Sequence, residues 1–159
     1  MLQICQLPYL LISLFPNFLH SNFKKLPTPT MLPSQRTVQI CLFLFAAIAI
    51  SGGILQMYLG EPDTTQRLDN IHRFLAGIYL ACGFICLWAA ITVRQQNTLV
   101  FLIALAGLFG ATGRLISMGI VGLPQPSAPW ITYLLAELVV PVIIIVCQLI
   151  TNKKLKSPN

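Results

Sequence analysis

Apolar residues fill this chain in four long blocks separated by short polar stretches. The first runs from about Val38 to Leu59 and is interrupted only by Gln39, Ser51 and Gln56. The second, about Asn70 to Val93, opens on Asn70, His72 and Arg73; the third runs from Leu99 to Gly119; the fourth covers about Trp130 to Ile150. Each has about the 20 residues that an α-helix needs to cross ~30 Å of hydrocarbon. The connections Gly60 to Asp69, Arg94 to Asn97 and Gly122 to Pro129 are short. Short connections make consecutive helices antiparallel, so the pattern predicts an all-α, integral-membrane, up-down-up-down four-helix bundle.

Residues 1–36 break this pattern. Leu7 to Leu19 is apolar but interrupted by Pro8 and Pro16, and a Pro/Thr-rich run, Leu26 to Pro33, follows Lys24 and Lys25. Prolines remove helical hydrogen bonds, and the stretch is too short to span. Met31 lies just before the first block. The expectation is a poorly ordered or mis-called N-terminal extension with the true start at Met31, then a four-span domain over 37–151 and a basic tail over 152–159.

Composition sharpens the membrane reading. The 159 residues are 56% hydrophobic and 9% charged, against about 25% charged in soluble domains. Such a chain cannot clothe a globular surface in polar groups, so the lipid bilayer is its expected solvent. The net charge of +6 lies at segment ends and forms no single patch, which argues against a nucleic-acid partner. Lys24, Lys25, Arg36, Arg94, Lys153, Lys154 and Lys156 fall on one side, and Arg67 and Arg73 on the other. By the positive-inside rule both termini are cytoplasmic. Trp130, Tyr133 and Tyr58 then read as an aromatic belt at the outer interface.

A polar constellation stands out against this apolar background. Gly107, Gly110, Arg114 and Ser117 share one helical face of the third block. An arginine inside a span costs about 2.5–3.5 kcal/mol on insertion scales, so it needs a partner. Glu137 is the only acid in an apolar block. Counting depth from the outer ends places Gln56, Asn70, Arg73, Arg114 and Glu137 in one layer, and Ser117 joins this candidate cluster through its face shared with Arg114. Pro141 crowds the carbonyl of Glu137 and predicts a helix kink at the acid. Gly53, Gly77, Gly107, Gly110 and Gly113 read as helix-packing positions. Three readings of the cluster stay open: an ion pair that fixes helix register, a site for a small polar or anionic molecule, and a proton-coupled role for Glu137. Two arginines against one glutamate favour an anion in the second.

Sharper chemistries lack their residues. His72 is the only histidine in the four blocks, so bis-histidine haem is unsupported, and no cofactor is expected. Cys82 and Cys86 are spaced C-x-x-x-C, which is not the redox C-x-x-C, and Cys5, Cys41 and Cys147 suggest no disulfide framework. Enzyme chemistry therefore has the least support. A binding or transport-like module and a structural or accessory subunit, in a homo- or hetero-oligomer, are the two classes carried forward.

The run Asn70-Ile-His-Arg73-Phe-Leu-Ala-Gly77-Ile-Tyr79-Leu-Ala-Cys-Gly83, with Gly113-Arg114-Leu-Ile-Ser117, Gly122-Leu-Pro124 and Glu137, resembles a bacterial family of small four-span membrane proteins known as domain of unknown function 4345. The resemblance covers about Val38 to Gln148. It implies the same four-span fold and carries no activity.

Overall fold

The computed structural model describes residues 30–61 and 63–156. The chain separates between Thr30 and Met31 into two units, of which the second contains every described helix. The expected N-terminal extension, with Cys5, Lys24 and Lys25, lies outside the described residues.

Four helices follow in order: α1 Pro33–Leu59, α2 Gln66–Ile91, α3 Thr98–Val121 and α4 Ser127–Lys156. The shortest has 24 residues, or about 36 Å at 1.5 Å per residue. All four are long and apolar enough to cross a membrane. Most of their ends reach past the apolar blocks because the flanking residues are good helix ends. Pro33 sits where a missing N–H costs nothing, and the Gln35 side chain accepts from the Leu32 N–H (3.1 Å). Thr65 caps α2 by accepting from the Leu68 N–H (3.3 Å). Lys153, Lys154 and Lys156 close α4, where cations complement the helix dipole.

Antiparallel helices place both chain ends of the domain and the α2–α3 turn at one end, and the loops 60–65 and 122–126 at the other. α1 packs along α2, α3 along α4, and α1 against α4, while α2 and α3 scarcely touch. Small residues bring the first two helices close. A Cβ at Gly53 would lie 2.8 Å from Leu80 Cβ, and one at Gly83 only 2.7 Å from Ile50 Cγ1.

The core occupies the end with the termini. Val38, Leu42 and Ala46 of α1 meet Ala89, Ala90, Val93, Val100, Ala104 and Ile144 there. Toward the loop end burial thins: the last buried residue of α3 is Ala111, and the first of α4 is Pro141. A neutral polar network ties the terminal end, and nothing in the hydrophobic pattern marks it. The Ser34 and Thr151 hydroxyls hydrogen bond at 2.7 Å. Asn97 Oδ1 accepts from Gln148 Nε2 (3.0 Å) and Asn152 Nδ2 (2.9 Å), and Gln39 Nε2 donates to the Ala90 carbonyl (2.9 Å). No buried side-chain nitrogen or oxygen among the described residues lacks a partner.

Candidate functional site

The polar residues of the loop end resolve into two pairs, one in each hairpin. In the first, α1 stops at Gly60, whose φ of +64° suits glycine and whose N–H donates to the Gln56 carbonyl (2.9 Å). Arg73, one turn into α2 from Asp69, donates from Nε to Asp69 Oδ2 (2.9 Å) and from Nη1 to the carbonyls of Met57 and Tyr58. Asp69 Oδ1 in turn accepts from the Glu61 N–H (2.7 Å). The guanidinium thus covers the negative, C-terminal end of α1, where a helix leaves carbonyls without partners. A Cβ at Gly60 would run into both Arg73 and Asp69. This arrangement staples the loop and commits Arg73 to it.

The second pair joins α3 to α4. Arg114 Nε donates to Glu137 Oε2 at 2.7 Å, with side-chain exposures of 33% and 20%. Gly110 lies one turn before Arg114, and a Cβ there would sit 3.7 Å from Glu137 Oε2. That is ordinary van der Waals contact, so the carboxylate lies directly against the Gly110 turn of α3. The Arg114 Cζ also lies over two rings, 5.9 Å from the Trp130 centroid and 5.7 Å from that of Tyr133. These rings meet edge to face at 6.3 Å. Such cation–π contacts stabilise by about 0.5–2 kcal/mol depending on desolvation.

The α4 side of the site is a single helical face. Trp130, Tyr133, Glu137 and Pro141 follow in steps of three, four and four. α4 continues through Pro141 to Lys156 without interruption. The proline supplies no N–H to the Glu137 carbonyl, and its buried ring faces Gly107, where a Cβ would lie 2.9 Å from Pro141 Cγ. A glycine on the neighbouring helix thus makes room for the proline below the acid.

From α2, Tyr79 lies within electrostatic reach of Arg114, Glu137 and Tyr133. Its ring packs at Gly52, where a Cβ would be 3.3 Å from Tyr79 Cε1.

Several expected site residues stand apart. Gln56, Asn70 and Ser117 are exposed, and their side chains make no hydrogen bond among the described residues. Gly77 and Gly113 have nothing within 4 Å of an added Cβ, so neither serves a close contact among the described residues, whereas Gly53 and Gly107 do. The charge count also changes. With Arg73 on Asp69 and Arg114 on Glu137, the surplus positive charge that favoured an anion disappears. Trp130 and Tyr133 read in the sequence only as interface residues; their spacing from Glu137 was the available sign of a shared face. Among the described residues no group of three or more His, Cys, Asp or Glu could hold a metal.

A family model described as "Domain of unknown function (DUF4345)" matches residues 37–148. The chain belongs to that family. No curated protein and no solved structure matches it. The matched range contains both arginine–acid pairs and the ring face of α4, and it ends within the polar network at Gln148.

Proposed function

We propose that this DUF4345 protein sits in a bacterial inner membrane with both termini in the cytoplasm, and binds a small polar molecule or lipid headgroup at the Arg114–Glu137 pair. The observation that carries this reading is the unspent part of the pair. Glu137 engages only the Arg114 Nε, and both terminal nitrogens of Arg114 and Oε1 of Glu137 have no hydrogen-bond partner among the described residues. A guanidinium carries five N–H donors, and donors left open in hydrocarbon cost several kcal/mol each. A ligand oxygen on the terminal nitrogens would satisfy them. The orientation is supported by Arg36, Arg94 and the α4 lysines at one end of the bundle, against Arg67 and Arg73 at the other.

The test is native mass spectrometry of the full chain released from mild detergent, beside Arg114→Leu/Glu137→Leu. A discrete added mass on the wild type, lost from the double variant, is the expected result. A bare wild type of defined oligomeric mass would refute it. That outcome would favour a second reading, in which the pair only fixes helix packing within a structural or accessory subunit. No fully buried side-chain nitrogen or oxygen among the described residues lacks a partner, so none at that depth calls for a ligand, which speaks for this alternative.

A further inference from the structure

We infer that the occupant of the Arg114–Glu137 site is a zwitterion, with a phosphate-type anion on the Arg114 terminal nitrogens and a primary ammonium on Glu137 Oε1. This rests on the ligand reading above and names its chemistry. The first ground is charge. Arg73 is neutralised by Asp69 and spent on the α1 carbonyls, so the site holds one guanidinium and one carboxylate. A net anion entering beside Glu137 would leave an unbalanced negative charge in a low-dielectric setting, which is costly unless paired. A ligand with one charge of each sign leaves the site neutral.

The second ground is the geometry of what stays open. Arg114 turns Nε to Glu137 and keeps its two terminal nitrogens, the edge that grips a phosphate or carboxylate with two parallel bonds. Glu137 spends Oε2 and keeps Oε1. One donor edge and one acceptor atom therefore lie side by side on the same ion pair, matching an anion and an ammonium a few bonds apart. The Trp130 and Tyr133 faces are already used by the guanidinium. A quaternary ammonium, which depends on ring faces, has no free ring from these two. A primary ammonium can instead donate to Oε1.

The third ground is depth. α3 overshoots a ~30 Å hydrocarbon layer by about 6 Å. Arg114 lies about 10 Å short of the α3 end at Val121 by the same rise per residue, so its long side chain works just beneath the headgroup level. An aminophospholipid headgroup and a soluble glycerophosphoethanolamine share this chemistry. The experiment separates the two.

The full chain in mild detergent is offered an equimolar mixture of phosphatidylethanolamine, phosphatidylglycerol and phosphatidylcholine with identical acyl chains, and bound lipid is read by native mass spectrometry. Phosphatidylethanolamine should be retained over each of the others by about tenfold, which is what ~1.4 kcal/mol, close to one charge-assisted hydrogen bond, gives. Glu137→Gln removes the negative partner and should turn the preference toward phosphatidylglycerol. Circular dichroism and monodisperse elution establish that this variant is folded; if it is not, Glu137→Asp, which keeps the charge, must keep the preference. Displacement of the lipid by an equal concentration of glycerophosphoethanolamine identifies a soluble zwitterion as the occupant, and retention identifies the lipid. A wild type that holds phosphatidylglycerol or all three lipids equally, or a folded Glu137→Gln that still selects phosphatidylethanolamine, overturns the zwitterion inference while leaving a binding site. A wild type that holds no more of any lipid than Arg114→Leu/Glu137→Leu overturns both.

Discussion

Removing either member of the Arg114–Glu137 pair alone should cost far more than removing both. Glu137→Leu leaves a guanidinium that stays charged, still facing Trp130 and Tyr133 but without its acid. Arg114→Leu leaves a carboxylate beside Gly110 without the one hydrogen-bond donor it has among the described residues. An uncompensated charge costs about 2.5–3.5 kcal/mol at a helix centre and less toward the interface, so each single variant should lose about 2–3 kcal/mol. The partial exposure of both side chains, 33% and 20%, lowers that figure for any molecule whose charge can reach water.

The double variant Arg114→Leu/Glu137→Leu strands no charge, and replacing a buried pair by apolar side chains is often neutral or better. Its loss should stay near 1 kcal/mol, the order of the forfeited ring contacts. The coupling energy in the double-mutant cycle is then expected to be well above ~1.5 kcal/mol. Neutral interhelical hydrogen bonds in membranes average only about 0.6 kcal/mol, so the two cases separate cleanly. The assay is reversible unfolding in mixed micelles by denaturing-detergent titration, followed by circular dichroism, in lipid-free preparations so that bound ligand adds nothing. Single losses that add to within ~0.5 kcal/mol, the tolerance for independent sites, would refute the pairing argument.

Four glycine substitutions and one polar substitution test the packing. Gly60→Ala should lower stability by more than Gly122→Ala: both positions have positive φ, at about 1–3 kcal/mol of strain each, but only at Gly60 does the new Cβ strike Arg73 and Asp69. Thermal unfolding of the two variants, compared directly, gives the ordering. Gly107→Ala should destabilise by about 1–3 kcal/mol through overpacking against Pro141 and Phe45, whereas Gly113→Ala, in open space, should gain up to ~1 kcal/mol from helix propensity. A shift of the same sign in both midpoints would contradict the packing described. Gln148→Leu should cost about 1–3 kcal/mol, because it strips a buried network and leaves Asn97 Oδ1 with Asn152 alone; an unchanged unfolding midpoint would mean the network contributes nothing.

The four helices were legible because a 20-residue apolar block in a chain with so few charges leaves little alternative. The Arg114–Glu137 pair was legible for the same reason, since a lone acid and an arginine at similar depth must meet or each bear its own desolvation. Three things were not. Arg73 was counted with Arg114 because depth along a helix is readable from sequence but the direction around the bundle is not; Asp69, four residues earlier, captures it from the same helix. Gly77 and Gly113 carry the small-residue spacing of a contact without making one among the described residues, because that spacing permits close approach and does not name the neighbour. The bonds of Ser34, Asn97, Gln148 and Thr151 leave no mark in the sequence because they join neutral groups near helix ends, where polar residues are expected anyway.

The two ends of the bundle are held by different chemistry, and this bears on how a ligand would reach the site. At the terminal end, the Ser34–Thr151 bond crosses from one hairpin to the other and the apolar core spans both. At the loop end each hairpin closes on itself: Arg73 and Asp69 clamp α1 to α2, while Arg114 and Glu137 clamp α3 to α4. Among the described residues, no hydrogen bond or ion pair joins the two hairpins there. Small displacements between the hairpins at this end therefore break no polar contact, whereas the same displacement at the other end opens the core and exposes Thr151 and Gln148. Tyr79 of α2 stands on the far side of that division, its ring packed at Gly52 of α1, and a group bridging from the Arg114–Glu137 pair to α2 would touch both hairpins. A ligand of that kind would stabilise the loop end by joining what the chain leaves separate. Raised protection from amide hydrogen exchange in α2 around Tyr79 and in α4 around Tyr133 on ligand addition, with none at Val38 or Ile144, is the expected signature. Protection spread evenly over all four helices would mean that the bundle responds as one rigid body.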